Sequence, residues 1–183
     1  RSVSILGDVF EDINAASINN TFPGTLKNIS LDPNSVQIKP KIAGDYVLWR
    51  DYNSSPEGCP QGSVLWYYDI NQETKQCIPD SGYQYAMNSH EIFWLDYPYQ
   101  FRVYNIADGS TRELTRLDYH VLDMNADDEN IVWTSDPLQE YNSYQIYVYN
   151  FQRGVVEQLT NTPTKKYYPD VSGRSEEHTS ELQ

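Results

Sequence analysis

The stretch "YNIADGSTRELT", residues 104–115, can be set above "YNFQRGVVEQLT", residues 149–160, without a gap. Tyr104 and Asn105 then fall on Tyr149 and Asn150, Gly109 on Gly154, and Leu114 and Thr115 on Leu159 and Thr160. These are two copies of one unit. Two fainter copies keep the same internal spacing: "DINQETKQCIP", with Asp69, Glu73 and Ile78, and "NTFPGTLKNIS", with Asn20, Gly24 and Ile29. The mean step from Asn20 to Asn150 is about 43 residues, inside the range of propeller-blade repeats.

A second landmark recurs half a unit away. Trp49 in "DYVLWRDY", Trp94 in "EIFWLDYP" and Trp133 in "NIVWTSDP" each close a short apolar run. A unit therefore reads as a first strand, a turn, this Trp strand, a variable loop, a third strand, a four-residue turn and a last strand. Four short strands joined by turns make one blade. "EIFWL", "VLWYY" and "IYVY" are apolar on both faces, as sheets covered on both sides require. With 16 Tyr, 4 Trp and 5 Phe the composition favours strands. The expected class is all-β: a partial β-propeller of about three four-stranded blades with incomplete repeats at each end. The blades fall at 31–80, 81–115 and 116–160, a degenerate blade or extension at 1–30, and the first strand of a fourth at 161–173. Trp49, Trp94 and Trp133 are expected in the blade cores.

The run "PKIAGDYVLW", residues 40–49, followed by an "IYVYN"-like strand, a Gly turn and "QLT", resembles the TolB-type β-propeller repeat of microbial cell-surface and secreted proteins. The resemblance covers residues 20–173. The first unit departs from it, with Glu73 at the turn Gly position, Pro79 for the terminal Thr, and the insertion "NSSPEGCPQG". What the resemblance implies is a non-catalytic scaffold of a secreted, periplasmic or surface protein, contacting protein or glycan. It equally fits the propeller of a prolyl-oligopeptidase-like serine peptidase or, with less support, of a polysaccharide lyase; in the peptidase the nucleophile would lie in a separate hydrolase domain.

"YYPDVSG", residues 167–173, matches "IKPKIAG", residues 38–44, with Pro169 over Pro40 and Gly173 over Gly44. The earlier copy continues into the buried run "DYVLW". The later one continues into "RSEEHTSELQ", which resembles a translated sequencing adapter, so 174–183 is read as an artefactual tail. A set of blades without closure is expected to associate through open edges.

The net charge of -13 opposes nucleic acid and anionic lipid as partners. No apolar run approaches the roughly 20 residues that span a bilayer, so no membrane insertion is expected in this stretch. Cys59 and Cys77 are either one disulfide or two thiols; their number and spacing are not those of a zinc site.

No G-x-S-x-G, H-E-x-x-H or Walker loop is present in the sequence. His90 and His120 read as turn or loop residues without a local partner. "NADDEN", residues 125–130, resembles a calcium loop in composition but lacks its Gly and distal Glu; it reads as a solvated hairpin turn, and no cofactor is expected beyond the alternative of calcium. Asp51, Asp96 and Ser135 stand at equivalent places after the Trp strand, as a repeated hydrogen bond or as an axial carboxylate ring. Loops 53–62 and 136–143 form one rim with Tyr52, Tyr97, Tyr99 and Tyr141, the candidate partner-binding aromatics.

Overall fold

The computed structural model describes residues 27–30, 36–54, 59, 62–78, 82–97, 99–117, 120–136 and 144–172. Every regular element among them is a strand. The first sheet is β1 (Val36–Ala43), β2 (Tyr46–Ser54), β3 (Gly62–Asp69) and β4 (Thr74–Ile78); the second is β5 (Tyr85–Met87), β6 (Glu91–Asp96), β7 (Gln100–Asn105) and β8 (Thr111–Arg116). The third is β9 (Val121–Ala126), β10 (Asn130–Ser135), β11 (Gln145–Asn150) and β12 (Val155–Gln158). Each is an antiparallel meander with its strands in chain order. The fold is a partial β-propeller of three four-stranded blades.

Side-chain alternation explains how the blades stack. Successive residues of a strand face opposite sides of its sheet. In β6, Ile92 and Trp94 enter one core with Leu48, Leu65 and Tyr67 of the first blade. Phe93 and Leu95 enter another with Trp133 and Tyr147 of the third. The second blade is thus apolar on both faces because both are covered. Trp94 always faces the preceding blade, and so does Trp133, whose ring meets Phe101 edge-on at 5.2 Å. Trp49 lies on the corresponding side of the first blade with Val47, Val64, Trp66 and Tyr68. All three tryptophans are buried.

Turn chemistry fixes the hairpins. Asn105 Oδ1 accepts from the backbone N–H groups of Ala107 and Asp108, and Gly109 N–H returns to the Asn105 carbonyl at 2.9 Å. Asn150 and Gly154 repeat the closure at 2.9 Å. Gly109 and Gly154 have φ of 72° and 65°, a region L side chains rarely adopt. In the first blade Asp69 Oδ1 accepts from Asn71 and Gln72, and Glu73 occupies the left-handed place at φ 54°. The departure seen in the sequence is therefore absorbed as backbone strain, with the turn preserved.

Between blades the contacts run through the first strands, where β5 lies against both β1 and β9. Further out, Ser89 donates to Asp128 Oδ1 at 2.7 Å and the Tyr67 and Tyr104 hydroxyls sit 3.4 Å apart. The expected first strand of a fourth blade at 161–173 differs: residues 161–172 carry no strand. A strand needs a ladder partner, and no second strand flanks this segment among the described residues. Residues 1–26 and 173–183, and with them the tail and all of the N-terminal repeat copy but Lys27 to Ser30, lie outside the described residues.

Candidate functional site

Lys39, Gln84, Asp123 and Tyr168 occupy the same place in four successive repeat units, and all four line one cavity of about 500 Å³. The cavity is bounded mainly by the first strands of the blades, with Thr134 on β10 and with Tyr167 and Tyr168 on a segment that carries no strand, and it lies on the side where a propeller has its axis. Lys39 sits inside an irregularity of β1 between Ile38 and Lys41, at φ 49°. Tyr168, ahead of Pro169 as Lys39 is ahead of Pro40, has φ 52°.

The wall is built by side chains that reach across blades. Tyr85 Oη lies 2.9 Å from the carbonyl oxygens of both Ile38 and Lys39, which share its single O–H. Burial raises the Tyr85 phenol above its ordinary range, so it is a fixed O–H donor at neutral pH. Lys41 Nζ donates to the Met124 carbonyl at 3.1 Å, tying the first blade to the third. Burial holds the Lys41 ammonium below the ordinary lysine value, opposed by the nearby Asp123 carboxylate. Asn125 Nδ2 donates to Asp170 in the segment after the third blade. Thr134, paired with Asp123 across β9 and β10, is fully buried and lines the cavity; its Oγ1 has no hydrogen-bond partner among the described residues.

The rim tyrosines occupy dissimilar surroundings. Tyr97 is 87% exposed. Tyr99, at φ 68°, packs on the core between the second and third blades, with its ring edge-on to His120 at 6.3 Å. Tyr52 is half-buried at the end of β2. Tyr141 and most of loops 53–62 and 136–143 lie outside the described residues.

Asp51, Asp96 and Ser135 sit on β2, β6 and β10, one strand out from the axis. Asp51 is buried; Asp96 pairs with Arg102 Nε at 3.7 Å and caps the Tyr97 N–H; Ser135 donates to the His120 carbonyl at 2.5 Å. They form no axial carboxylate ring, because the axis belongs to the strand before theirs. Asp127 Oδ1 accepts from Glu129 and Asn130 as the turn of "NADDEN". No group of three or more His, Cys, Asp or Glu side chains placed to hold a metal ion occurs among the described residues. His90 is exposed behind the Asn88 turn.

Cys59 and Cys77 are joined by a disulfide with Cα atoms 6.2 Å apart, which fastens the β2–β3 connection to β4. Both pack on the outer core of the first blade.

The cavity residues escaped the sequence analysis because they differ in type. The signal that marks them is positional: Lys39, Gln84 and Asp123 stand at the same distance before Trp49, Trp94 and Trp133, and Tyr168 precedes Pro169 as Lys39 precedes Pro40.

No known family description and no curated protein sequence matches this chain. Among solved structures it is similar to TolB from Acinetobacter baumannii, at 14% identity and a TM-score of 0.56, covering 77% of this chain and 36% of that one. It is similar to a prolyl endopeptidase at 10% identity and a TM-score of 0.56, over 81% of this chain and 25% of that one. It is also similar to Pyrococcus horikoshii acylaminoacyl peptidase, at 8% identity and 0.53, over 68% and 24%. At such identities the likeness carries the fold, a TolB-like β-propeller, and the chain spans well under two thirds of each.

Proposed function

We propose that this stretch of TolB-like β-propeller belongs to a rigid, non-catalytic platform that contacts a protein or glycan outside the cytoplasm, in a secreted, periplasmic or surface-exposed microbial protein. The observation that carries it is the convergence of Lys39, Gln84, Asp123 and Tyr168 on one cavity, held by blades packed on both faces. A rigid scaffold that presents variable residues at equivalent positions is suited to recognition. The Cys59–Cys77 disulfide supports an oxidising compartment. Among the described residues no helix is long and apolar enough to cross a membrane. Exposed Tyr97 offers a second contact at the rim.

The second reading, a propeller portion of a serine peptidase, is favoured by the likeness to the two peptidase structures. Sequencing the source DNA on both sides of this chain, and treating the encoded protein with a serine-directed fluorophosphonate probe, separates the two. The platform reading expects further blades or an anchor, no covalent label, and partner binding that Tyr97→Ala weakens. A Gly-x-Ser-x-Gly motif and stoichiometric labelling would overturn it.

A further inference from the structure

We infer that the mouth of the axial cavity binds a carboxylate-bearing ligand, held by the Lys39 ammonium and the Tyr167 and Tyr168 hydroxyls, with Lys165 and Lys166 on its approach.

The balance of donors and acceptors in the lining is the first reason. Its acceptors are largely committed. The Ile38 and Lys39 carbonyls share the Tyr85 O–H, the Met124 carbonyl accepts from Lys41 Nζ, and Asp123 Oδ1 accepts from the Met124 N–H at 3.1 Å. The donors that remain are accessible: Lys39 is exposed, Tyr167 is 48% exposed and Tyr168 82%. None of these three side chains has a hydrogen-bond or ion-pair partner among the described residues. Thr134, fully buried on β10, takes no part. A mouth with spare donors suits a ligand made of acceptors.

Charge is the second reason. Asp123 acts on Lys41 and offsets it, which leaves Lys39 as the unbalanced charge of the lining. Burial first, and then Lys39, holds the Lys41 ammonium down, so the two cations lie in each other's field and an anion at Lys39 relieves both. Asp170, the other carboxylate nearby, accepts from Asn125 Nδ2. The approach adds further cations. Lys165 Nζ lies 5.4 Å from the centre of the Tyr144 ring, which lies 5.4 Å from that of Tyr167. Four of the six lysines of a chain with net charge -13 thus stand on this segment and on β1, and none of the four is ion-paired among the described residues.

The backbone favours carboxylate over phosphate. Phosphate sites converge backbone N–H groups at a helix N-terminus or in a nest. Every regular element among the described residues is a strand, and the left-handed residues of the lining, Lys39 and Tyr168, each precede a proline, which has no N–H to give. The tyrosine rings cover the ligand's hydrocarbon part, in a cavity of about 500 Å³ that suits a small molecule or a few side chains.

This proposal rests on the platform reading only in taking the cavity as a contact site. Labelling by a fluorophosphonate would remove that reading and leave carboxylate binding measurable; a silent titration would remove this one and leave Tyr97 as the platform's contact.

The test is a saturation-transfer NMR titration of the 183-residue chain with tricarballylate and with a capped hexaglutamate peptide, at low salt and at about 0.15 M. Binding of at least one is expected, weaker at the higher salt. Lys39→Gln should weaken it by about 3–10-fold, the worth of one charge-assisted contact. Lys27→Gln, which removes the same charge beside Glu73 and outside the cavity, should leave it unchanged. Near-ultraviolet circular dichroism checks that each variant is folded. Tighter binding of hexaglutamate assigns the carboxylates to an acidic segment of a protein partner, and tighter binding of tricarballylate to a free polycarboxylic acid; either supports the site. No transfer to either probe, equal loss in Lys39→Gln and Lys27→Gln, undiminished binding in Lys39→Gln, or inorganic phosphate displacing both probes at equal concentration would overturn the proposal.

Discussion

Lys39 and Tyr168 share a left-handed backbone, with φ of 49° and 52°, each one residue before a proline. Residues before proline are already restricted, and the left-handed region costs a non-glycine residue about 1–2 kcal/mol. Two unlike side chains hold this conformation at equivalent places, both ahead of a proline, whereas Gln84 and Asp123, at the same place without a following proline, have no left-handed φ. Lys39→Gly is expected to stabilise the fold by about 0.5–1 kcal/mol, since glycine relieves the strain but has more freedom to lose. Lys39→Val should do the reverse. Urea unfolding of both variants decides it.

The turns make a paired prediction. Glu73 strains the place that Gly109 and Gly154 fill without strain. Glu73→Gly should raise the urea midpoint, because the exposed ion pair it gives up with Lys27 contributes little. Gly109→Ala should lower stability by about 1 kcal/mol.

Trp133 carries the core between the second and third blades. Its ring is fully buried against Phe101 and stacks on Tyr147 at 5.9 Å. Trp133→Ala is expected to cost about 3–5 kcal/mol, and Trp133→Phe less. Denaturant unfolding of the Phe variant keeps the comparison measurable where the Ala variant fails to fold.

The disulfide should be worth about 3 kcal/mol, from a loop with a sequence separation of 18 residues. Unfolding in the presence and absence of reductant measures this, and the difference should vanish in a Cys59→Ser, Cys77→Ser double variant.

Lys41 gives the pH prediction. Its pKa in the fold is lowered by burial, so the unfolded chain holds more protons between the folded value and the ordinary lysine value. Stability from this group therefore rises with pH across that window, and its burial penalty is fully present below it. Lys41→Met should be more stable than the parent at neutral pH. The gap should close as pH climbs toward about 10.4, the ordinary lysine value. A gap that stays constant from neutral to alkaline pH would count against a buried ammonium.

The sequence by itself determined the repeat, the turns and the class. "YNIADGSTRELT" over "YNFQRGVVEQLT" encodes the hairpin through Asn105, Gly109, Asn150 and Gly154, because Asx acceptors and left-handed glycines act within a few residues. The two-faced strands around Trp94 and Trp133 encode stacking, because side-chain direction alternates along any strand. Tertiary structure alone decided what meets at the axis. Lys39, Gln84, Asp123 and Tyr168 share a register and no chemistry, so alignment by residue type passes over them. Tyr52, Tyr97 and Tyr99 share a type, yet one is half-buried, one exposed and one packed into a core. Which residues become neighbours depends on how whole sheets pack, through contacts between positions tens of residues apart that no local pattern records.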